Sequence, residues 1–162
     1  EDFEEYKLDV DIKSDTNISF RSIADNEIIK GNIKGEIQNT SYDILSNAFV
    51  ECELLGRSYK GRGFSCGFAV VEDLKGFCFL RKLNNLDTLM TSWSCSTTAG
   101  FNGDASCIGK LSVVEGFGKF AGVLGFGEIE MPLAKTLLLD ENKNHKLKLK
   151  LKIKYPLNVK KN

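Results

Sequence analysis

Paired carboxylates are the first residues in this sequence that could do chemistry. Glu128 and Glu130 flank Ile129, so both carboxylates lie on one face of a predicted strand. If that face lined a partly apolar cavity, the two groups could act as general acid and base. If Ile129 points inward instead, both carboxylates are solvent groups, and we favour this second interpretation.

A cationic and aromatic cluster is the second candidate site. Arg57, Tyr59 and Arg62 lie within the segment GRSYKGRG, residues 56–63, and could hold the carboxylate of a ligand. An exposed hairpin tip has the same composition, so both interpretations stay open. Any Ser-His or Cys-His arrangement would depend on His145, the only histidine, which we expect at the surface of an Asn- and Lys-rich turn.

Composition excludes several classes of protein. The 22 basic and 22 acidic residues balance, which argues against a nucleic-acid binder, and no apolar run is long enough to span a bilayer. Residues 116–121 match the G-x-G-x-x-A pattern of dinucleotide sites, but the glycines that follow at 122, 125 and 127 disfavour the helix which that pattern requires. We therefore predict no cofactor.

The five cysteines suggest disulfides rather than a metal site. None is part of a C-x-x-C pair, so a zinc site is not expected. Their spacing resembles one cysteine per strand, which suits cross-strand disulfides in an oxidising compartment, although buried free thiols are the alternative. We predict Cys95–Cys107, because both cysteines flank one turn-rich loop, and a second bond from Cys52 to Cys66 or Cys78, with Cys66 preferred.

Hydrophobic periodicity predicts an all-β protein. Tyr6–Lys13 and His145–Tyr155 alternate strictly between apolar and charged residues, which indicates strands with one wet face. We interpret the lysine row of His145–Tyr155 as a solvated face rather than an anion-binding patch. Between residues 56 and 83 the pattern predicts a turn, a strand, a hairpin turn and a strand: Gly56–Gly63, Phe64–Glu72, Asp73–Gly76 and Phe77–Leu83.

The predicted architecture is a single antiparallel, mostly meandering closed β-barrel of about 8–10 strands with little or no helix. It would span residues 1–162, with N-terminal strands in 1–27, a barrel body in 28–131 and a C-terminal strand in 145–157. A glycine-rich strand pair, 107–131, forms its centre. There we expect structural roles for Gly116 and Gly118 at the strand junction, and for Gly122 and Gly125 at bends of the second strand. For Gly122 the alternative is a neighbour that packs against its α-carbon.

The glycine-rich run from Val113 to Gly127 resembles the signature "v-v-G-G-T-G-x-F-x-G-a-x-G-x-G" of the allene oxide cyclase-like barrel superfamily, which includes dirigent proteins and small secreted bacterial proteins. The segment from Gly76 to Trp93 is similar to a second motif of those bacterial members. Glu115 and Phe117 depart from the signature. The resemblance covers roughly residues 47 to 131 and implies an eight-stranded barrel that is often a trimer. It carries no catalytic residue across.

These observations predict a non-catalytic barrel that binds an apolar small molecule or docks on a partner protein. The alternative is a cyclase, isomerase or dirigent-type enzyme that acts inside the barrel. We expect a homo-oligomer, such as a trimer, or a partner protein, because three phenylalanines, Phe117, Phe120 and Phe126, exceed what one strand normally buries. The disulfides predict a periplasmic or secreted location. The acidic start without methionine suggests a processed or a trimmed chain.

Overall fold

Nine strands and two single turns of 3-10 helix make up the part of the chain that the computed structural model describes, which is residues 2–13, 17–59, 73–82, 86–98, 106–132 and 146–156. The 3-10 turns are Asp43–Leu45 and Gly118–Phe120. The strands are β1 (Glu4–Ile12), β2 (Asn17–Ile23), β3 (Asn26–Thr40), β4 (Phe49–Tyr59), β5 (Asp73–Arg81), β6 (Thr88–Thr98), β7 (Ser106–Phe117), β8 (Leu124–Pro132) and β9 (Lys146–Lys154).

The strands form one antiparallel sheet that closes into a barrel. Their order is β1-β9-β8-β7-β6-β5-β4-β3-β2, and a further pairing of β1 with β3 closes the ring. The long strand β3 allows this, since residues 26–32 pair with β2 and residues 35–40 pair with β1. Eight strands close the barrel and β2 is an additional strand. The predicted closed antiparallel barrel is thereby confirmed.

The barrel interior is filled with apolar side chains. In β9 the residues Leu147, Leu149, Leu151 and Ile153 are at most 2% exposed, while the intervening lysines face outward. The other barrel strands contribute buried residues in the same alternating way, among them Val10, Ile33, Val50, Leu80, Leu89, Leu111 and Ile129. Burial on this scale, at roughly 25 cal/mol per Å² of apolar area, provides the main stabilisation of the fold.

An aromatic cluster covers one end of the barrel. Tyr42 and Phe120 come from the connections after β3 and β7, and both are almost fully buried. The rings of Tyr6 and Tyr42 stack with centroids 4.1 Å apart, and Phe120 meets Tyr42 edge-on at 6.2 Å. Of the three phenylalanines expected to be in excess, Phe120 is thus buried, whereas Phe117 and Phe126 are 44% and 47% exposed.

Two disulfides join neighbouring strands inside the barrel. Cys95 and Cys107 are bonded, with α-carbons 5.3 Å apart, which confirms the predicted bond between β6 and β7. The preferred partner of Cys52 was wrong, because Cys52 bonds to Cys78 rather than Cys66. Cys52 and Cys78 face each other directly in the register of β4 and β5. Cys66 lies outside the described residues.

Two local predictions also need correction. Asp73–Gly76 is not a hairpin turn but the start of β5, because Leu74 enters the core and Gly76 lies where β4 comes too close for a side chain. A β-carbon on Gly76 would lie 1.7 Å from the carbonyl oxygen of Glu53. Gly122 does not bend β8 but lies in the turn before it, with φ +76°. The close neighbour that was the alternative is present, since a β-carbon on Gly122 would lie 2.8 Å from Cγ of Pro156. The segments predicted at 60–72 lie outside the described residues.

Candidate functional site

An open groove crosses the outside of the barrel. It has a volume of about 690 Å³ and lies over the outer faces of β4, β5, β6 and β7. Pockets that bind small organic molecules have volumes of about 300–1,000 Å³. The groove therefore has room for one such molecule, and it is separate from the packed interior.

The floor of the groove consists of small side chains on β6 and β7. The β6 sequence TLMTSWSCSTT alternates, so that Trp93 and Cys95 point into the core while Ser92 and Ser94 point outward. Ser92 lies opposite Ser112 of β7 in the register. The serine side chains are short, so the larger side chains of Leu55 and Phe77 extend beyond them and form an apolar wall on one side of the groove.

Two lysines place positive charge over this floor. Lys75 of β5 and Lys110 of β7 both lie opposite Ser94, one on each side of it. Neither ammonium group forms an ion pair with another residue in the described part of the chain. Glu53 adds one carboxylate to the lining, so the lining residues carry a net charge of +1, from two lysines and one glutamate.

Two buried polar atoms have no hydrogen-bond partner among the described residues. One is Nε1 of Trp93, a residue that is 4% exposed and lies beneath the groove. The other is Oε1 of Glu27, which is 9% exposed and lies on the same face of β3 as the core residue Ile29. A buried group without a partner typically costs about 1–3 kcal/mol, so such groups mark places where function can outweigh stability.

The predicted acid-base pair lies on a solvated, charge-paired surface. Ile129 is 1% exposed, whereas Glu128 and Glu130 are on the outer face of β8. The Lys150 ammonium lies 3.9 Å from the Glu128 carboxylate and 3.6 Å from that of Glu5. Lys148 and Lys150 of β9 therefore lie between carboxylates of β8 and β1, so this part of the lysine row is a surface of mixed charge rather than a purely cationic one.

The structure describes only part of the predicted cationic cluster. Gly56–Tyr59 is not a turn, because β4 continues to Tyr59. Arg57 lies within that strand, and its Nη1 donates a hydrogen bond to Oδ1 of Asn26 at 3.1 Å. Arg62 and His145 lie outside the described residues.

Tyrosines at the barrel end that the aromatic cluster covers form a hydrogen-bonded group. The hydroxyls of Tyr42 and Tyr155 hydrogen-bond each other, and the Tyr6 hydroxyl donates to Oε2 of Glu4 at 2.6 Å. Burial raises the pKa of Tyr6, with smaller contributions from Tyr155 and Asp43, and burial also raises the pKa of Tyr155. Both phenols are therefore neutral at physiological pH.

Within the described ranges, no three residues of the types His, Cys, Asp and Glu come together as a metal site would require. In the same ranges, none of the helical segments has the length and apolar character needed to cross a bilayer.

Sequence reasoning misses the groove because its residues come from four strands. Lys75 falls in a segment that the sequence predicts to be a turn, and the outward serines of β6 look like ordinary members of a strand. The sequence signal for the groove is the alternation of Ser92 and Ser94 with Trp93, since it indicates a strand face that carries small side chains at these positions. Comparison with protein-family models and with curated protein sequences finds no match to this chain.

Proposed function

We propose that this protein is a non-catalytic β-barrel that binds a small molecule with an apolar body in the groove on its outer surface. The observation that carries the proposal is the contrast between a filled interior and an open groove. Inward side chains such as Ile33, Leu80 and Leu89 are fully buried, while the groove on β4–β7 offers about 690 Å³ beside Phe77 and Leu55. Concave, mostly apolar surfaces with a few polar groups are the usual form of ligand sites.

A matched pair of variants on β6 tests the proposal. Ser92→Phe places a ring on the groove floor and should abolish binding, whereas Ser96→Phe makes the same change on the same outer face outside the groove lining. The probe is N-phenyl-1-naphthylamine, a neutral dye whose fluorescence rises in apolar surroundings. Equal binding by both variants, or no binding by the parent, would contradict the proposal. Mass spectrometry of molecules that co-purify with the parent protein, but not with Ser92→Phe, would identify the natural ligand.

Catalysis inside the barrel is the alternative, and Glu27 is the residue that favours it. Its carboxylate is buried, and Oε1 lacks a partner in the described part of the chain, as an acid or base directed at a substrate would. The packed apolar interior leaves little space beside it, so we prefer the binding function. A ligand whose chemical conversion stops in Glu27→Gln but continues in Ser92→Phe would reverse that preference.

We also propose that the protein works in an oxidising compartment, such as the periplasm or the extracellular space. The two disulfides Cys52–Cys78 and Cys95–Cys107 support this, since such bonds persist mainly outside the cytosol. Both pairs of cysteines are buried in the core, which suits a structural role. Alkylation of intact cells before lysis would test it, because free thiols at these four positions would contradict an oxidising location.

A further inference from the structure

We propose that the ligand of the outer groove is a small amphipathic anion, an aliphatic or aromatic body that carries one carboxylate or sulfonate group. This inference rests on the proposed binding function and adds the chemistry of the ligand. It follows from three features of the groove: an apolar wall, a hydroxyl-bearing floor, and two lysines that have no anionic partner among the described residues.

The position of the anion follows from the register of β5, β6 and β7. Lys75 and Lys110 are both opposite Ser94, so their α-carbons lie on the two strands next to it, each about 5 Å away. An acidic group above Ser94 is within reach of both flexible lysine side chains and of the serine hydroxyl. The three groups together would supply charge-assisted hydrogen bonds to one oxyanion.

The apolar body of the ligand has its own place. Phe77 lies opposite Ser92 in the next row of the sheet, and Leu55 lies opposite Lys75 on the outer side. Both side chains are about half exposed, at 44% and 52%, so a ligand would remove apolar surface from water at this point. A molecule lying along β6 would contact Phe77 while its acidic group stays at Ser94.

Glu53 allows a test of the sign of the ligand's charge. It lines the groove opposite Phe77, and its negative charge should repel an anionic ligand. Glu53→Gln should therefore strengthen binding of an anion and leave a neutral ligand unaffected. A groove built for a cation would respond in the opposite direction.

The experiment compares two dyes that share a ring system. 1-Anilinonaphthalene-8-sulfonate is the anionic probe and N-phenyl-1-naphthylamine is its neutral counterpart. Lys75→Gln and Lys110→Gln should each weaken the anionic probe about three- to fivefold, the size expected of an exposed ion pair. Glu53→Gln should strengthen the anionic probe about twofold. The neutral probe should stay unchanged in all three variants.

Lys148→Gln is the charge-matched control, because Lys148 is exposed on β9 away from the groove. Raising the salt concentration from about 0.05 M to about 0.5 M should weaken the anionic probe in the parent and have little effect in the Lys75/Lys110 double variant. Decanoate should displace the anionic probe better than decanol does.

The outcomes separate this inference from the proposed function. If both dyes bind in a manner blocked by Ser92→Phe but neither lysine matters, the groove binds apolar molecules and the anionic class is wrong. If neither dye binds, the proposed function itself fails. A different result would be that the protein binds vesicles of anionic phospholipid in a way that requires Lys75 and Lys110 and that decanoate does not inhibit. That result would overturn the small-molecule ligand in favour of a membrane surface.

Discussion

The carboxylate of Asp87 accepts a hydrogen bond from the backbone N–H of Lys119, with Oδ1 and N 2.9 Å apart, across 32 positions of sequence. Asp87 precedes β6 and is 7% exposed, and Lys119 belongs to the turn between β7 and β8. Gly118 beside it has φ +65°, and a β-carbon there would lie 2.1 Å from the same carboxylate oxygen. Asp87 thus holds the glycine-rich turn against the neighbouring connection.

This contact predicts the effect of mutating Asp87. Asp87→Ala should lower the free energy of unfolding by about 1–3 kcal/mol, because it removes the charged acceptor of a partly buried hydrogen bond. Asp87→Asn keeps an acceptor oxygen and should cost less. Leu86→Ala is the control, since Leu86 is 85% exposed and should change stability little. Urea denaturation measures all three, and a cost for Asp87→Ala no larger than that of the control would refute this role.

The stability of the protein should also depend on the glycine at position 122. Its φ of +76° is unfavourable for other residues, and a β-carbon would lie 2.8 Å from Cγ of Pro156. Gly122→Val should therefore cost more than about 2 kcal/mol. Ala121→Val is the matched control, because Ala121 is exposed and has φ −55°. Pro156→Ala should recover part of the loss by removing the contact but not the unfavourable φ, and unchanged melting of Gly122→Val would contradict this prediction.

The disulfides predict one remaining thiol. Four of the five cysteines are bonded to each other. Peptide mapping without reduction should therefore recover the Cys52–Cys78 and Cys95–Cys107 peptides, with Cys66 in neither of them. Replacing both Cys95 and Cys107 by alanine should destabilise the protein by about 3 kcal/mol, from the entropy of the loop that the bond closes. Cys66→Ser should have no such effect. Recovery of a Cys52–Cys66 peptide would show that the pairing is different in solution.

The tyrosine group predicts a loss of stability at alkaline pH. The pKa values of Tyr6 and Tyr155 are raised in the folded state above the ordinary value of 10.0. Below pH 10 both states keep the phenols protonated and the stabilisation is complete; above it the unfolded state loses protons first, so stability falls as the pH rises. The double variant Tyr6→Phe/Tyr155→Phe should show a shallower decline of melting temperature above pH 10. Equal slopes in parent and variant would argue against this origin.

Self-association remains a prediction, and the structure offers a surface on which to test it. Val114, Leu124 and Phe126 are 51%, 63% and 47% exposed on β7 and β8, and the Phe3 ring meets that of Phe126 edge-on at 5.2 Å. If a second copy covers this cluster, Leu124→Glu should shift the protein to a monomer in analytical ultracentrifugation. A parent protein that is already monomeric at high concentration would refute the prediction.

Strands with alternating apolar and polar residues were predictable, because this alternation can be recognised in the sequence of one strand without knowing which strand pairs with it. The alternation in β9 predicts Leu147, Leu149 and Leu151 inside and the lysines outside, as the structure has them. In contrast, the hairpin turn predicted at Gly76 and the strand bend predicted at Gly122 were wrong, although the close neighbour predicted for Gly122 is present in Pro156. Glycine signals a special backbone position, but whether that position is a turn or a close contact with another strand depends on the neighbour.

The sequence by itself determined the all-β class, the inward and outward faces of strictly alternating strands such as β1 and β9, and the Cys95–Cys107 bond, because each depends on residues near one another along the chain. Only the tertiary structure decided that Cys52 pairs with Cys78, since β4 and β5 set that register. The groove is a tertiary feature for the same reason. Lys75, Ser94 and Lys110 become neighbours only when β5, β6 and β7 align, and no local pattern of one strand specifies the positions of side chains on the next.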